Sequence, residues 1–249
     1  MSQTRFDRVV DALRARLFWM KFGVYFLRSA HRNLTRIKVG RQFVKISIPP
    51  GEEKAMSFEI NNIFYNDCYG LQKISGDVSR ILDVGGNVGL FSLAARSHFP
   101  RAQIHSYEPN PGVQGHLLKN TKGLLIKVHP EAIGANEGWI QMNSNGASLF
   151  ATAVSSAKGT IKKTSVAEAL DRLGGTVDLL KLDCEGAEWE LLDSPEIWRS
   201  VKWLTMEYHL WANPGMEVPE MVRQIRKLGF RITHLSEESE WGIVQAAKL

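Results

Sequence analysis

The sequence predicts an α/β fold: a mostly parallel sheet with helices on both faces and an antiparallel strand pair at the C-terminus. Three observations carry that prediction. From Arg80 onward, short apolar runs alternate with segments of helical period. The first run ends in a Gly-rich turn, and charged residues recur at the ends of several runs. The last two runs, Phe230–Leu235 and Gly242–Ala247, are separated by a polar stretch too short for a helical crossover, as in a hairpin.

Taken in order, residues 5–30 read as a helix, because Phe6, Val9, Val10, Leu13, Leu17 and Met20 recur at spacings of three and four. Residues 36–48 alternate and are β-branched, which suggests a strand or hairpin arm ended by Pro49-Pro50-Gly51. Residues 57–75 are aromatic and Asn-containing and read as helix or loop. The sheet strands are then 80–84, 103–107, 124–129, 177–183 and 201–207. Helices are expected through His98 and over 112–120, 166–173, 189–192 and 219–228. Residues 138–142 suggest an extra strand, and 143–160 a polar loop. Residues 1–50 are expected to form a basic extension and residues 51–249 the main domain.

Composition narrows the function classes. At 249 residues with 44% apolar and 23% charged residues, the chain can build an ordinary core without staples. Cys68 and Cys184 are the only cysteines, which excludes a disulfide framework and fits a reducing, cytoplasmic compartment. No apolar run reaches the ~18 residues of a membrane span. Residues 1–45 hold 11 Lys or Arg against 2 Asp or Glu, out of 31 and 26 in the whole chain, so the rest is net acidic. No nucleic-acid partner is expected of that acidic body. The basic helix within residues 1–30 is read first as packed on the main domain. It also suits the inner face of an anionic membrane, or a dimer contact.

The strongest local pattern is Asp83-x-Gly85-Gly86-Asn87-x-Gly89 after an apolar strand. A dinucleotide fingerprint fails here, since its second and third glycines would fall on Asn87 and Leu90. A second carboxylate, Glu108 in Tyr107-Glu108-Pro109-Asn110, ends the next strand 25 residues after Asp83. An acid there can accept both hydroxyl protons of a ribose. The third element is Lys181-x-Asp183-x-Glu185-Gly186-Ala187-Glu188. A helix N-terminus explains Glu188, but Lys181 and Asp183 inside an apolar strand are costly without a purpose.

Together with Glu131-Ala132-Ile133-Gly134 and Met206-Glu207-Tyr208-His209, these stretches resemble the FkbM family of S-adenosylmethionine-dependent methyltransferases over about residues 58–247. The resemblance implies a class I, Rossmann-like methyltransferase fold and S-adenosylmethionine as cofactor. It implies that Asp83, Gly85, Gly86, Asn87 and Gly89 line the methionine end, that Glu108 holds the ribose, and that Pro109, Asn110 and the stretch Glu131, Ala132 and Ile133 border the adenine. Asp183 and Glu185 would face the methyl group and the acceptor. Gly86 stands where Ala is common in the family, an exchange expected to be silent between two small residues.

The implied reaction is O-methylation of a sugar, glycan or other small molecule. N-methylation of a peptide or amine and a non-catalytic nucleoside-binding module are the alternatives. A hydroxyl acceptor benefits from a general base, for which His209, Glu207, Glu185 and Asp183 are the candidates, with Lys181 beside them. Glu207 and His209 share a face if the strand continues, and an ordinary His pKa near 6.5 suits a base at neutral pH. Asp183, Glu185, Glu207 and His209 also form a donor set for Mg²⁺ or Ca²⁺, although no metal is expected. His31, His98, His105, His116, His129 and His234 read as structural or surface residues. Trp198, Trp203 and Trp211 are core residues or a sugar-stacking face, with Trp211 nearest the site.

Overall fold

The computed structural model describes residues 5–23, 36–143, 152–156, 158–194 and 197–248. Helix α1 (Arg5–Lys21) stops sooner than its pattern suggests, because Phe22 and Gly23 turn the chain and Gly23 takes φ +70°. Residues 24–30 of the expected helix lie outside the described residues. The helix does pack on the main domain, but through an aromatic set rather than through Leu13, Leu17 and Met20 of the stripe that the spacing picks out. Phe18, Trp19 and Phe22 dock on Phe64 and Tyr65, with Phe18–Tyr65 and Phe22–Phe64 centroids 5.2 and 5.4 Å apart. Leu13, Leu17 and Met20 stay exposed. Aromatic edge-to-face packing favours the first set, and burying Trp19 alone contributes roughly 2–3 kcal/mol.

Strands β1 (Arg36–Val39) and β2 (Gln42–Lys45) form the expected hairpin. Its inner side chains Ile37, Val39 and Val44 join the same core as Leu93 and Ile104. Helix α2 (Glu53–Ile60) runs into a π-helical turn at Asn61–Tyr65, an irregularity often found at functional sites.

The central sheet follows with β3 (Arg80–Val84), α3 (Leu90–His98), β4 (Gln103–Tyr107), α4 (Pro111–Thr121) and β5 (Ile126–His129). Asn110 caps α4 by accepting the Gly112 N–H at 2.9 Å, with Pro111 preset for the first turn. A small second sheet is made of β6 (Ala132–Gly134), β7 (Gly138–Asn143), β8 (Thr152–Ser155) and β9 (Ile161–Ser165), in the order β6-β9-β7-β8. The loop expected over 143–160 is therefore only partly a loop: residues 152–155 pair with β7. Residues 144–151 of it lie outside the described residues.

Helix α5 (Val166–Arg172), β10 (Val177–Leu182), α6 (Glu188–Leu192), β11 (Val201–His209), α7 (Val218–Lys227), β12 (Phe230–Leu235) and β13 (Trp241–Lys248) complete the chain. The main sheet has seven strands in the order β12-β13-β11-β10-β3-β4-β5. β10, β11, β3, β4 and β5 are parallel, and β13 is antiparallel to both β11 and β12. Every residue of β10 is buried, as a central strand covered on both faces requires. The strand order reverses between β3 and β10, and the crevice beyond the carboxyl ends of these strands is where open α/β sheets bind ligands.

Candidate active site

A cavity of about 790 Å³ opens at that crevice. Gly85, Asn87, Glu108, Pro109, Asn110 and Ala132 line one end, while Asp183, Glu185, Glu207 and His209 line the other. So most of the residues singled out from the sequence meet in one place.

The Gly-rich turn is shaped by close approach. Gly85 has φ +81°, and a Cβ there would lie 1.6 Å from the Asp183 carbonyl oxygen, so only glycine fits. Gly85 and Gly86 N–H donate to the Tyr107 carbonyl at 3.0 and 2.9 Å, which binds the turn to β4. A Cβ on Gly86 would lie 2.2 Å from Ser106 Oγ. An alanine there is therefore not silent in this chain, because Ser106 is held by its bond to Asp83 Oδ2 at 3.0 Å.

Glu108 is 7% exposed. Its Oε2 accepts the Asn87 N–H and its Oε1 accepts the Asn110 N–H, both at 2.7 Å. Burial pushes its carboxyl up to about 7, against the pull of those N–H groups and Lys181. Each oxygen keeps a lone pair for a further donor, and Asn87 Oδ1 is buried without a hydrogen-bond partner among the described residues. A carboxylate and a side-chain amide, on two residues that line the cavity, fit the hydroxyls of a nucleoside.

Five of the expected site residues stand behind the wall rather than on it. Asp83 is fully buried and accepts from Ser92 Oγ at 2.6 Å and Ser106 Oγ, so it supports the turn from beneath. Gly86 faces Ser106, and Gly89 caps α3. Glu131 turns away to Arg172, at 2.9 Å, and to the Thr164 hydroxyl. Lys181, 2% exposed, donates to the Gly85 carbonyl at 2.5 Å and ion-pairs with Asp83 and Asp183 at 3.4 and 3.3 Å. Burial opposes its charge, but Asp183 and Asp83 outweigh burial and hold it above the ordinary Lys value.

At the other end β11 runs to His209, which puts Glu207 and His209 on the cavity together. His209 Nε2 is 3.6 Å from both Glu185 and Glu207. Burial resists protonation of the ring, yet Glu188, Glu207 and Glu185 raise it to about 10. The ring is thus an imidazolium at neutral pH, not the free base that an ordinary pKa suggests. Burial instead pushes Glu185 up to about 7, and Glu207 also upward. Glu185 adopts φ +53°, a conformation costly for a non-glycine residue and common where a side chain is aimed at a ligand. Asp183, Glu185 and His209 bring ligand atoms within 4.8 Å of one another. The proton on His209 already offsets that charge, and a cation would have to displace it.

Several participants were not foreseen from the sequence. Tyr69 donates to Asp183 Oδ2 at 2.9 Å and reaches Glu207 Oε2 at 3.5 Å. Glu59 lines the same end, its carboxyl raised to about 7 by burial and by Glu207 and Asp183. Phe58 and Trp241 join Trp211 in lining the cavity, and all three are partly exposed. Among the other tryptophans, Trp198 is a core residue. His234 also borders the cavity, whereas His105 and His129 form a buried pair. Both cysteines line the cavity, and burial raises their thiols.

Residues 83–232 match the Methyltransferase FkbM domain. The chain is 25% identical over 230 residues to "Methyltransferase sdnD" of Sordaria araneosa, covering 74% of this chain and 85% of that protein. It is 26% identical over 171 residues to "Methyltransferase 1" of Beauveria bassiana, covering 57% of this chain and 68% of that protein. Among solved structures, magnesium protoporphyrin IX methyltransferase of Synechocystis shares the fold, with TM-score 0.50 and 11% identity over 82% of this chain and 86% of that one. The match spans more than half of the chain and both ends of the cavity, so the chain belongs to the FkbM family and is an S-adenosylmethionine-dependent methyltransferase.

Proposed function

We propose that this enzyme methylates a hydroxyl oxygen of a sugar or glycan. The observation that carries the reading is the acceptor end itself. Asp183, Glu185, Glu207 and Glu59 offer acceptors for hydroxyl protons, and the half-exposed rings of Trp211 and Trp241 offer faces for a pyranose.

S-adenosylmethionine supplies an electrophilic methyl group on a sulfonium. In this reading Glu108 accepts the ribose hydroxyls and the Gly85 turn admits the methionine end. Lys181 keeps Asp183 in place through its ion pair. Alignment of the acceptor against the cofactor supplies much of the acceleration. One carboxylate of the pair Glu185 and Glu207 takes the single proton that the acceptor loses, since their raised pKa makes them better bases than exposed carboxylates. The imidazolium of His209 balances the charge between them.

The carboxylates speak against nitrogen. A hydroxyl needs a base to lose its proton, whereas a free amine already carries the lone pair that attacks, so a cluster of basic carboxylates is required only for oxygen. We also place the enzyme at the cytoplasmic face of a membrane, its basic N-terminal helix on anionic lipid and the acceptor a membrane-proximal glycan. The charge of residues 1–45 supports this.

The test uses S-adenosylmethionine with an isotopic methyl group, offered with neutral glycans and with amines of similar size. A methyl ether on a sugar carbon is expected, lost in Glu207→Gln. A methylamine as the sole product would overturn the assignment to oxygen.

A further inference from the structure

We propose that α1 and the β1–β2 hairpin act together as one docking surface for an anionic lipid bilayer. The proposal deepens the membrane placement given above, and it adds a second element to the helix.

The two elements are joined. The Phe22 carbonyl, one residue past α1, accepts the Lys38 N–H of β1 at 2.7 Å. Gly23 lies against the hairpin's outer face, where a Cβ would meet the Phe43 ring at 2.5 Å and Lys38 Cβ at 3.6 Å. The hairpin's inner residues are buried in the core, so its outer face is fixed to the body. That outer face carries Arg36, Lys38, Phe43 and Lys45, all exposed, with Arg41 in the turn. The Arg36 guanidinium sits 4.5 Å over the Phe43 ring, and Phe43 is 50% exposed. Among the described side chains of α1, Leu13, Leu17 and Met20 are exposed beside Arg14, Arg16 and Lys21, with one exposed acid, Asp11, 3.8 Å from Arg14.

Apolar side chains interleaved with cations identify the partner. A bilayer interface takes the apolar groups into its acyl boundary and the cations at its phosphates. Nucleic acid would satisfy the cations and leave Leu17, Met20 and Phe43 in water. A second copy of the same surface would set seven exposed cations against seven. The surface is linked to the cavity through the segment on which α1 docks. The Phe64–Tyr65 turn that receives α1 continues from Phe58, Glu59 and Asn62, which line the cavity. A bilayer on this surface would bring its headgroups beside the cavity wall.

The experiment is co-sedimentation of the full chain with phosphatidylcholine vesicles, with and without about 30% phosphatidylserine. It compares the wild type, a helix variant (Leu17→Glu with Met20→Glu) and a hairpin variant (Lys38→Glu, Phe43→Ala, Lys45→Glu). The wild type is expected to bind only the anionic vesicles, and each variant to lose affinity by about tenfold or more. Unchanged calorimetric binding of S-adenosylmethionine shows that a variant has folded. Should a variant fail that control, hydrogen exchange on the wild type with vesicles decides instead. Slowed exchange in both 13–21 and 36–45 is expected. Loss or protection confined to the helix overturns the joint surface while the membrane placement stands. No binding by the wild type overturns both, and equal binding to neutral vesicles overturns the charge argument. Tight binding to RNA without vesicle binding, or dimerisation abolished by the same changes, overturns the lipid assignment. None of these outcomes touches the methyltransferase reading, which the calorimetry reads separately.

Discussion

One buried carboxylate, Glu188, grips His209 twice. Its Oε1 accepts the ring Nδ1–H at 2.9 Å and the backbone N–H of the same residue at 3.0 Å. Its Oε2 accepts the Gly186 N–H at 2.9 Å, so it also ties down the turn that carries Glu185. Glu188 is fully buried, and the imidazolium is its counter-charge. With Nδ1 committed, Nε2 faces the cavity between Glu185 and Glu207. A helix-dipole role, the natural reading of an acid at the start of α6, understates this residue.

The pH dependence follows from these groups. Glu185 must be ionised to accept a proton, and its pKa is about 7. His209 must stay protonated to balance the acids, and its pKa is about 10. A profile of kcat/KM should rise through pH 7 and fall through pH 10. Glu188→Gln removes a carboxylate that sustains the imidazolium, so the falling limb should move down by about 1–2 units. A falling limb that stays in place in that variant counts against the role given to His209.

Glu59 ties stability to the same pH range. Its folded pKa of about 7 exceeds the ordinary 4.5, so its ionisation opposes folding. The stability of the protonated form is fully present below 4.5 and is lost as pH rises through 7. Glu59→Gln should therefore stabilise the protein at pH 8 by about 1 kcal/mol, allowing for solvent screening, and change nothing at pH 4.5. Urea midpoints at the two pH values check this. Equal effects at both would mean that the side chain acts through packing.

Lys181→Met should cost about 3–5 kcal/mol, because Asp83 is fully buried and would lose its cation. Urea unfolding measures it. A loss below 1 kcal/mol would show that the Lys181–Asp83 pair does not hold the fold.

Gly86→Ala should destabilise by ~1–3 kcal/mol, since the new methyl collides with Ser106 Oγ. Ser106→Ala removes that oxygen and should recover most of the loss in a double-mutant cycle. Additive losses would mean that the turn, not Ser106, is the obstacle.

Much of this arrangement was legible in the sequence because the sheet imposes it. The short apolar runs at Arg80–Val84 and Val177–Leu182, each bounded by turn residues, read as buried strands, and a strand end is where Glu108 and Asp183 emerge. The two-residue period of β11 foretold that Glu207 and His209 share a face. The small sheet was less legible. Ile161–Ser165 reads Ile-Lys-Lys-Thr-Ser, without the alternation that marks a half-buried strand. The partners of the acceptor end were invisible for another reason. Tyr69 and Asp183 are 114 residues apart, and only the assembled fold brings them to 2.9 Å. The docking face of α1 was hidden because the stripe and the aromatic set both have helical spacing, and the surface they meet chooses between them.

Calorimetric titration with S-adenosylmethionine and its demethylated product, on the wild type and on Glu108→Ala, tests the central claim most directly. If Glu108 holds the ribose, the wild type binds in the micromolar range and the variant binds about a hundredfold more weakly, the loss of two charge-assisted hydrogen bonds. Equal affinity in the two proteins would mean that the nucleoside sits elsewhere and that the roles given to both ends of the cavity are wrong.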